Sequence, residues 1–185
     1  MAQTTEKAFE SYVEQMLLDK GWQPLAVSGW DKERALFPQA ITEFLASTQP
    51  ELWEAMRTQH GNQRESMVLA ALVKELAIKG TLHVLRHGFK FYGKVFRLAH
   101  FKPAHGLNSD VLALYQANRL CVTRQVPCHP GDHSTVDLLF SLNGLPVATC
   151  ELKNPWTGQN WRHAVNQYRN DRDPRAPLFT FKQRA

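Results

Sequence analysis

Between Thr135 and Lys153 the chain reads TVDLLFSLNGLPVATCELK, which alternates twice about a Leu142-Asn143-Gly144 break. Val136, Leu138 and Phe140 alternate with Thr135, Asp137, Leu139 and Ser141. Ala148, Cys150 and Leu152 alternate with Val147, Thr149, Glu151 and Lys153. A period of two puts successive side chains on opposite faces of an extended strand. Thr135–Ser141 and Leu145–Lys153 are therefore expected to form one hairpin, with an apolar even-numbered face and the polar groups on the odd-numbered one. Register follows the buried face, because a slip of one residue turns every side chain over. A two-residue Asn143-Gly144 turn would send Asp137 and Glu151 to opposite faces. A three-residue Leu142-Asn143-Gly144 loop keeps the apolar face intact, setting Ser141 opposite Leu145 and Asp137 opposite Thr149. Glu151 then becomes the diagonal same-face neighbour of Asp137, and the three-residue loop is the expectation.

That register brings two carboxylates and an ammonium to one side of the hairpin. Same-face diagonal neighbours stand roughly 7–8 Å apart, within reach of a shared ion. Hard oxygen donors suit Mg²⁺, which keeps several waters and leaves room for a phosphate oxygen. Such an ion polarises a phosphoryl group and acidifies a bound water. Lys153 could orient that water or neutralise developing charge. The same residues also suit a plain cross-strand Glu–Lys surface pair, worth a few tenths of a kcal/mol. The position of Glu151-Leu152-Lys153, at the end of an apolar strand, favours the chemical reading.

The rest of the pattern is mixed. Phe9, Val13, Met16 and Leu17 recur at helical spacing before Gly21, which predicts a helix over residues 5–20 and then a short strand at Gln23–Val27. Residues 31–79 read as two or three helices broken near Pro50 and Gly61-Asn62. Thr81–Leu85 and Phe89–Leu98 read as strands, with His87-Gly88 as a turn and Tyr92-Gly93 as a bulge. A short helix is expected over Ser109–Gln116, capped by Asn108 or Ser109. Arg119–Val126 is a further strand, and Asn160–Asn170 a closing helix with Trp161, Ala164, Val165 and Tyr168 on its apolar stripe. The fold class is α/β, a mixed central sheet flanked by helices, with a mainly helical part over residues 1–79 and a core over 80–185.

Charge divides along the same line. Residues 1–75 hold 7 basic and 11 acidic side chains, whereas residues 76–185 hold 15 and 6. No acid lies between Ile78 and Ser109, where Lys79, Arg86, Lys90, Lys94, Arg97 and Lys102 interleave with Phe89, Phe91, Tyr92, Phe96 and Phe101. Such a segment reads either as a face that attracts polyanions, nucleic acid above all, or as solvated strand faces over core aromatics. Arg162, Arg169, Arg172 and Arg175 could contact phosphates, or each could be a solvated charge. Three cysteines, Cys121, Cys128 and Cys150, are too few for a disulfide framework and point to a reducing cytoplasm. Cys128, His129 and His133 lack the four closed ligands of a zinc site. Cys150 falls on the apolar face as packing, and Trp161 reads as core, with Trp156 more open. No run approaches the ~18 apolar residues of a membrane span.

DLLFSLNGLPVATCELKNP, together with LRHGFKFYGKVFRLAHFKP, YQANRLCVTRQV and AVNQYRNDRDPRAPLFTF, resembles the N-terminal nuclease domain of the Type I restriction enzyme R subunit. The similarity covers roughly residues 80–181, with a weaker echo in AFESYVEQMLLDKGW. That family belongs to the PD-(D/E)xK nucleases, so the resemblance implies a restriction-endonuclease-like core and Mg²⁺-dependent cleavage of double-stranded DNA. It also implies partners, the modification and specificity subunits, and an ATP-driven motor absent from this chain. By the family pattern Asp137 and Glu151 hold the metal, the Leu152 carbonyl assists, Lys153 supports the attacking water, and Gln167 contacts DNA or the site. A non-catalytic DNA-binding or assembly module of the same fold is the alternative. Val136 stands where the group has proline. Gln167 and Tyr168 are adjacent instead of separated, which makes Tyr168 read as a stripe residue. Some nucleases of the group add a glutamate from the first helix, for which Glu10 and Glu14 are candidates, although an exposed helix face reads as solvated. At 185 residues, with no Gly-x-x-x-x-Gly-Lys-Ser/Thr loop and an end at FTFKQRA in an expected strand, the chain reads as part of a longer one.

Overall fold

The computed structural model describes residues 6–131, 134–153 and 158–180, the side chain of Glu6 excepted. Helix α1 (Glu6–Leu18) ends as its glycine requires. Gly21 has φ +90°, and the N–H of Trp22 reaches back to the Leu17 carbonyl. Phe9, Val13, Leu17 and Leu18 pack against Val122, Leu138 and Leu152, while Met16 turns outward. β1 is only Gln23–Pro24, and Val27 begins a 3₁₀ turn instead of extending the strand. Three helices follow at the expected breaks, α2 (Pro38–Thr48), α3 (Pro50–His60) and α4 (Arg64–Lys79).

Two expectations fail after Gly80. Residues 81–85 form no strand but a helix, α5 (Thr81–His87). Thr81 and Val84 are buried while Leu82 is exposed, and that i, i+3 spacing belongs to a helix. Phe89–Leu98 is not one bulged strand but a hairpin, β2 (Phe89–Phe91) and β3 (Lys94–Phe96). Tyr92 and Gly93, at φ +46° and +74°, form its two-residue turn. Phe89, Phe91 and Phe96 enter the core with Leu72 and Leu76, so the aromatics of this basic segment are mostly packing.

Helix α6 (Ser109–Gln116) is capped by Asn108, whose side chain accepts from the N–H groups of Asp110 and Val111. Strands β4 (Leu120–Pro127), β5 (Thr135–Leu142) and β6 (Leu145–Cys150) complete a sheet of order β1-β4-β5-β6, in which β1 is parallel to β4 and the rest is antiparallel. This is the expected mixed α/β arrangement. Leu138 meets α1, whereas Leu139, on the other face, clusters with Phe37 and Ala40. Both faces are therefore covered, and the odd-numbered side is not purely polar.

The β5–β6 turn overturns the expected loop. Leu142 pairs with Leu145 and Ser141 with Pro146, around a two-residue turn in which Asn143 and Gly144 have φ +54° and +88°. Asn-Gly is the strongest sequence for such a turn, because both residues tolerate positive φ. The turn is also buried. Asn143 donates to the Leu98 carbonyl at 2.8 Å and accepts from the Arg119 N–H at 2.7 Å. A Cβ on Gly144 would lie 2.9 Å from the Phe37 carbonyl oxygen. Beyond the turn the register shifts, since Phe140 pairs with Ala148 and Leu138 with Cys150. Val147 is thus an extra residue, a bulge that restores the parity the two-residue turn had lost. Asp137 and Glu151 each lie one residue beyond the last pair of this ladder, Leu138–Cys150.

Candidate active site

The expected diagonal placing of Glu151 beside Asp137 across the ladder is not formed, since pairing stops at Leu138–Cys150 with both residues just beyond it. The half-buried Asp137 carboxylate is held at both oxygens. Its Oδ2 accepts the Leu152 N–H at 2.6 Å, and its Oδ1 accepts from the Gln125 side-chain amide at 3.4 Å. β6 ends at Cys150, short of Lys153, because the Leu152 N–H bonds to this side chain and leaves the ladder.

Glu151 is deeply enclosed, its side chain 1% exposed, and it pairs with Arg172, whose side chain is 3% exposed. Arg172 also donates to the Thr135 carbonyl at 2.7 Å and to the Cys128 sulfur at 3.4 Å. It is therefore neither a phosphate contact nor a solvated charge, the two sequence readings. Burial pushes the Glu151 carboxyl above its usual range. The Arg172 bond and charge and the Lys153 ammonium pull it back, and the Asp137 charge adds to the rise. These interactions place Asp137, Glu151 and the half-buried Lys153 within electrostatic reach of one another.

The helix after the motif is α7 (Trp161–Asn166), capped by Asn160 and His163, and it runs into a π-helical turn over Gln167–Asp171. Gln167 stands half-buried in that turn. The Tyr168 hydroxyl donates to Thr149 Oγ1 at 2.9 Å, and its ring meets Phe179 edge-on. Burial raises the phenol to about 12, so it stays protonated and serves as a strut between this turn and β6. Trp161, the first residue of α7, is 68% exposed under the Arg162 guanidinium, contrary to its reading as core. Phe179 and Thr180 lie in a turn instead of a strand, their N–H groups bonded to the Ala176 carbonyl. Trp156, His133 and residues 181–185 lie outside the described residues.

A larger correction concerns α1. Glu10 is 3% exposed, and its Oε2 accepts from Arg124 at 3.0 Å. Glu14 accepts from the same guanidinium at 3.3 Å. The solvated reading of both glutamates fails because α1 lies against the sheet with this face inward. The other Glu10 oxygen accepts from Gln125 at 2.8 Å. Gln125 has φ +50° in the middle of β4, and the otherwise continuous β4–β5 ladder skips its step opposite Asp137. A left-handed non-glycine residue costs roughly 1–2 kcal/mol. Sequence reasoning missed Arg124, Gln125 and the pairing of Arg172 with Glu151. The Glu10–Glu14 spacing of one helical turn is the signal that could have suggested a common partner.

Asp137 and Glu151 are the side chains that could hold a hard divalent ion, with the Leu152 carbonyl beside them. Two carboxylates fit Mg²⁺, which retains waters as its other ligands. Among the described residues no group of three His, Cys, Asp or Glu side chains gathers as a metal cage.

The family model for the Type I restriction enzyme R protein N terminus matches residues 3–183. The chain belongs to that family. The match takes in α1 together with the whole β1-β4-β5-β6 sheet, so Glu10 and Gln125 lie within the same family unit as Asp137, Glu151 and Lys153. No curated protein and no solved structure gives a significant match to this R-protein N terminus. Among its described residues no helix is long and apolar enough to cross a membrane.

Proposed function

We propose that this R-protein N terminus is a Mg²⁺-dependent endonuclease domain with a PD-(D/E)xK-type core, hydrolysing phosphodiester bonds of double-stranded DNA within a Type I restriction complex. The supporting observation is the electrostatic proximity of the buried Glu151 to the half-buried Asp137 and Lys153 at the end of the β5–β6 hairpin. Asp137, Glu151 and the Leu152 carbonyl would hold the ion, which polarises the phosphoryl group and acidifies a water. Lys153 orients that water and offsets the charge that builds on the phosphoryl oxygens. Tyr168 and Thr149 fix the π turn beside the site, and Gln167 contacts the duplex from it. Exposed Trp161, Arg162 and Arg169 extend that contact along the phosphates. The modification and specificity subunits choose the site, and ATP acts through a motor outside this chain.

The test compares the wild-type chain with Asp137→Asn and Lys153→Met. Mg²⁺ binding is followed by calorimetry, and cleavage of plasmid DNA by a restriction complex carrying each variant. Asp137→Asn should lose Mg²⁺ binding and cleavage. Lys153→Met should keep the ion and lose cleavage. Unchanged cleavage in both would sink the catalytic reading. The non-catalytic module draws support from Arg172, which already neutralises Glu151. Under that reading both variants restrict normally, and only loss of Arg162 and Arg169 weakens DNA binding.

A further inference from the structure

We infer that Gln125 is a positioning residue, whose side-chain amide, braced by Glu10, aims the Asp137 carboxylate and through it the backbone at Leu152. The inference rests on the reading of Asp137 as a metal-holding residue, and the geometry is independent of it. Glu10 and Asp137 can only accept when ionised, so the NH₂ of Gln125 must face both of them. Its carbonyl oxygen accepts from the Thr135 hydroxyl at 2.9 Å, which fixes the amide the same way round. Both amide hydrogens and the oxygen of this one side chain are thereby used. Glu10 cannot swing away, because Arg124 grips its other oxygen while also holding Glu14 and Ser11. At the far end Asp137 Oδ2 takes the Leu152 N–H, between Glu151 and Lys153.

A purely structural role does not account for this arrangement. Gln125 is exposed, and its left-handed backbone breaks the ladder at the one step that faces Asp137. A strand that needed only stability would place glycine there or keep the ladder. The strained conformation carries the amide to a point between the Glu10 and Asp137 carboxylates, where it donates to both.

The decisive variant is Gln125→Gly, which suits φ +50° and removes the amide. Three quantities are measured on the chain, namely Mg²⁺ affinity by calorimetry, Leu152 amide exchange by NMR and the thermal midpoint. The expected result is an equal or higher midpoint, faster Leu152 exchange, and Mg²⁺ affinity about 10–100-fold weaker, the usual effect of losing a group that orients a ligand. Gln125→Leu should lose affinity to the same extent. Glu10→Gln keeps an acceptor for the amide and should lose less than Glu10→Leu. Unchanged exchange and affinity in Gln125→Gly would overturn the inference. So would a Glu10→Gln variant as impaired as Asp137→Asn, since Glu10 would then act by its charge. If the wild-type chain binds no Mg²⁺, the metal reading above falls, while faster Leu152 exchange in Gln125→Gly still upholds the positioning.

Discussion

Replacing Arg172 by Met tests how the site tolerates its own charge. The substitution leaves Glu151, 1% exposed at its side chain, without the cation that neutralises it. Breaking a buried pair from one side typically costs about 3–5 kcal/mol. The structure sets its own ceiling, because Glu151 can take up a proton instead of remaining charged. From an ordinary glutamate value, protonation at pH 7 costs ~3.7 kcal/mol, and at pH 5 only ~1 kcal/mol. Loss of the bond to the Thr135 carbonyl adds about 1 kcal/mol. The variant should therefore be destabilised by roughly 5 kcal/mol at most at pH 7 and roughly 2 kcal/mol at pH 5. Its Glu151 titrates above the unfolded value, so the folded state binds more protons and stability rises as pH falls. Urea unfolding at the two pH values reads this directly. Under the catalytic reading Mg²⁺ should recover part of the loss, because an ion that favours the ionised Glu151 replaces the missing charge. A loss below about 1 kcal/mol at pH 7, or one that does not depend on pH, would refute the assignment of Arg172 as the obligatory partner of a buried carboxylate.

Two further outcomes follow from the same contacts. Gly144→Ala should destabilise the chain by about 2–4 kcal/mol in thermal or urea unfolding, since positive φ and overpacking both count against a Cβ placed 2.9 Å from Ile41 and the Phe37 carbonyl. Burial and the neighbouring Arg97 hold His100 below the ordinary histidine range, so its contribution to stability is full above about pH 6.5 and fades as pH falls through its folded value. His100→Gln should flatten the loss of stability between pH 7 and 5 relative to wild type, as measured by unfolding at each pH.

Elements whose cause is local were legible. The α1 stripe, the Asn108 cap, the helix breaks at Pro50 and Gly61, and the alternation of β5 and β6 each arise from a few adjacent residues. Thr81–His87 misled because TLHVL can alternate or follow a helical stripe equally well, and only the burial of Thr81 and Val84 decides between them. The β5–β6 turn misled for another reason. Face continuity seemed to demand a third loop residue, but Asn143 and Gly144 make the two-residue turn and the bulge at Val147 repairs the parity. The turn and the bulge, each a shift of one residue, offset each other in register, and the ladder then ends at Leu138–Cys150.

The pattern around Asp137, Glu151 and Lys153, and the mixed α/β class, belong to the sequence itself, since alternation, turn chemistry and short spacing act between near neighbours. The tertiary structure alone decided what surrounds them. Arg172 reaches Glu151 across 21 residues, Arg124 reaches Glu10 across 114, and Gln125 reaches Glu10 across 115. A buried charge must find its counter-charge wherever packing brings one, and strand periodicity carries no record of a partner that distant.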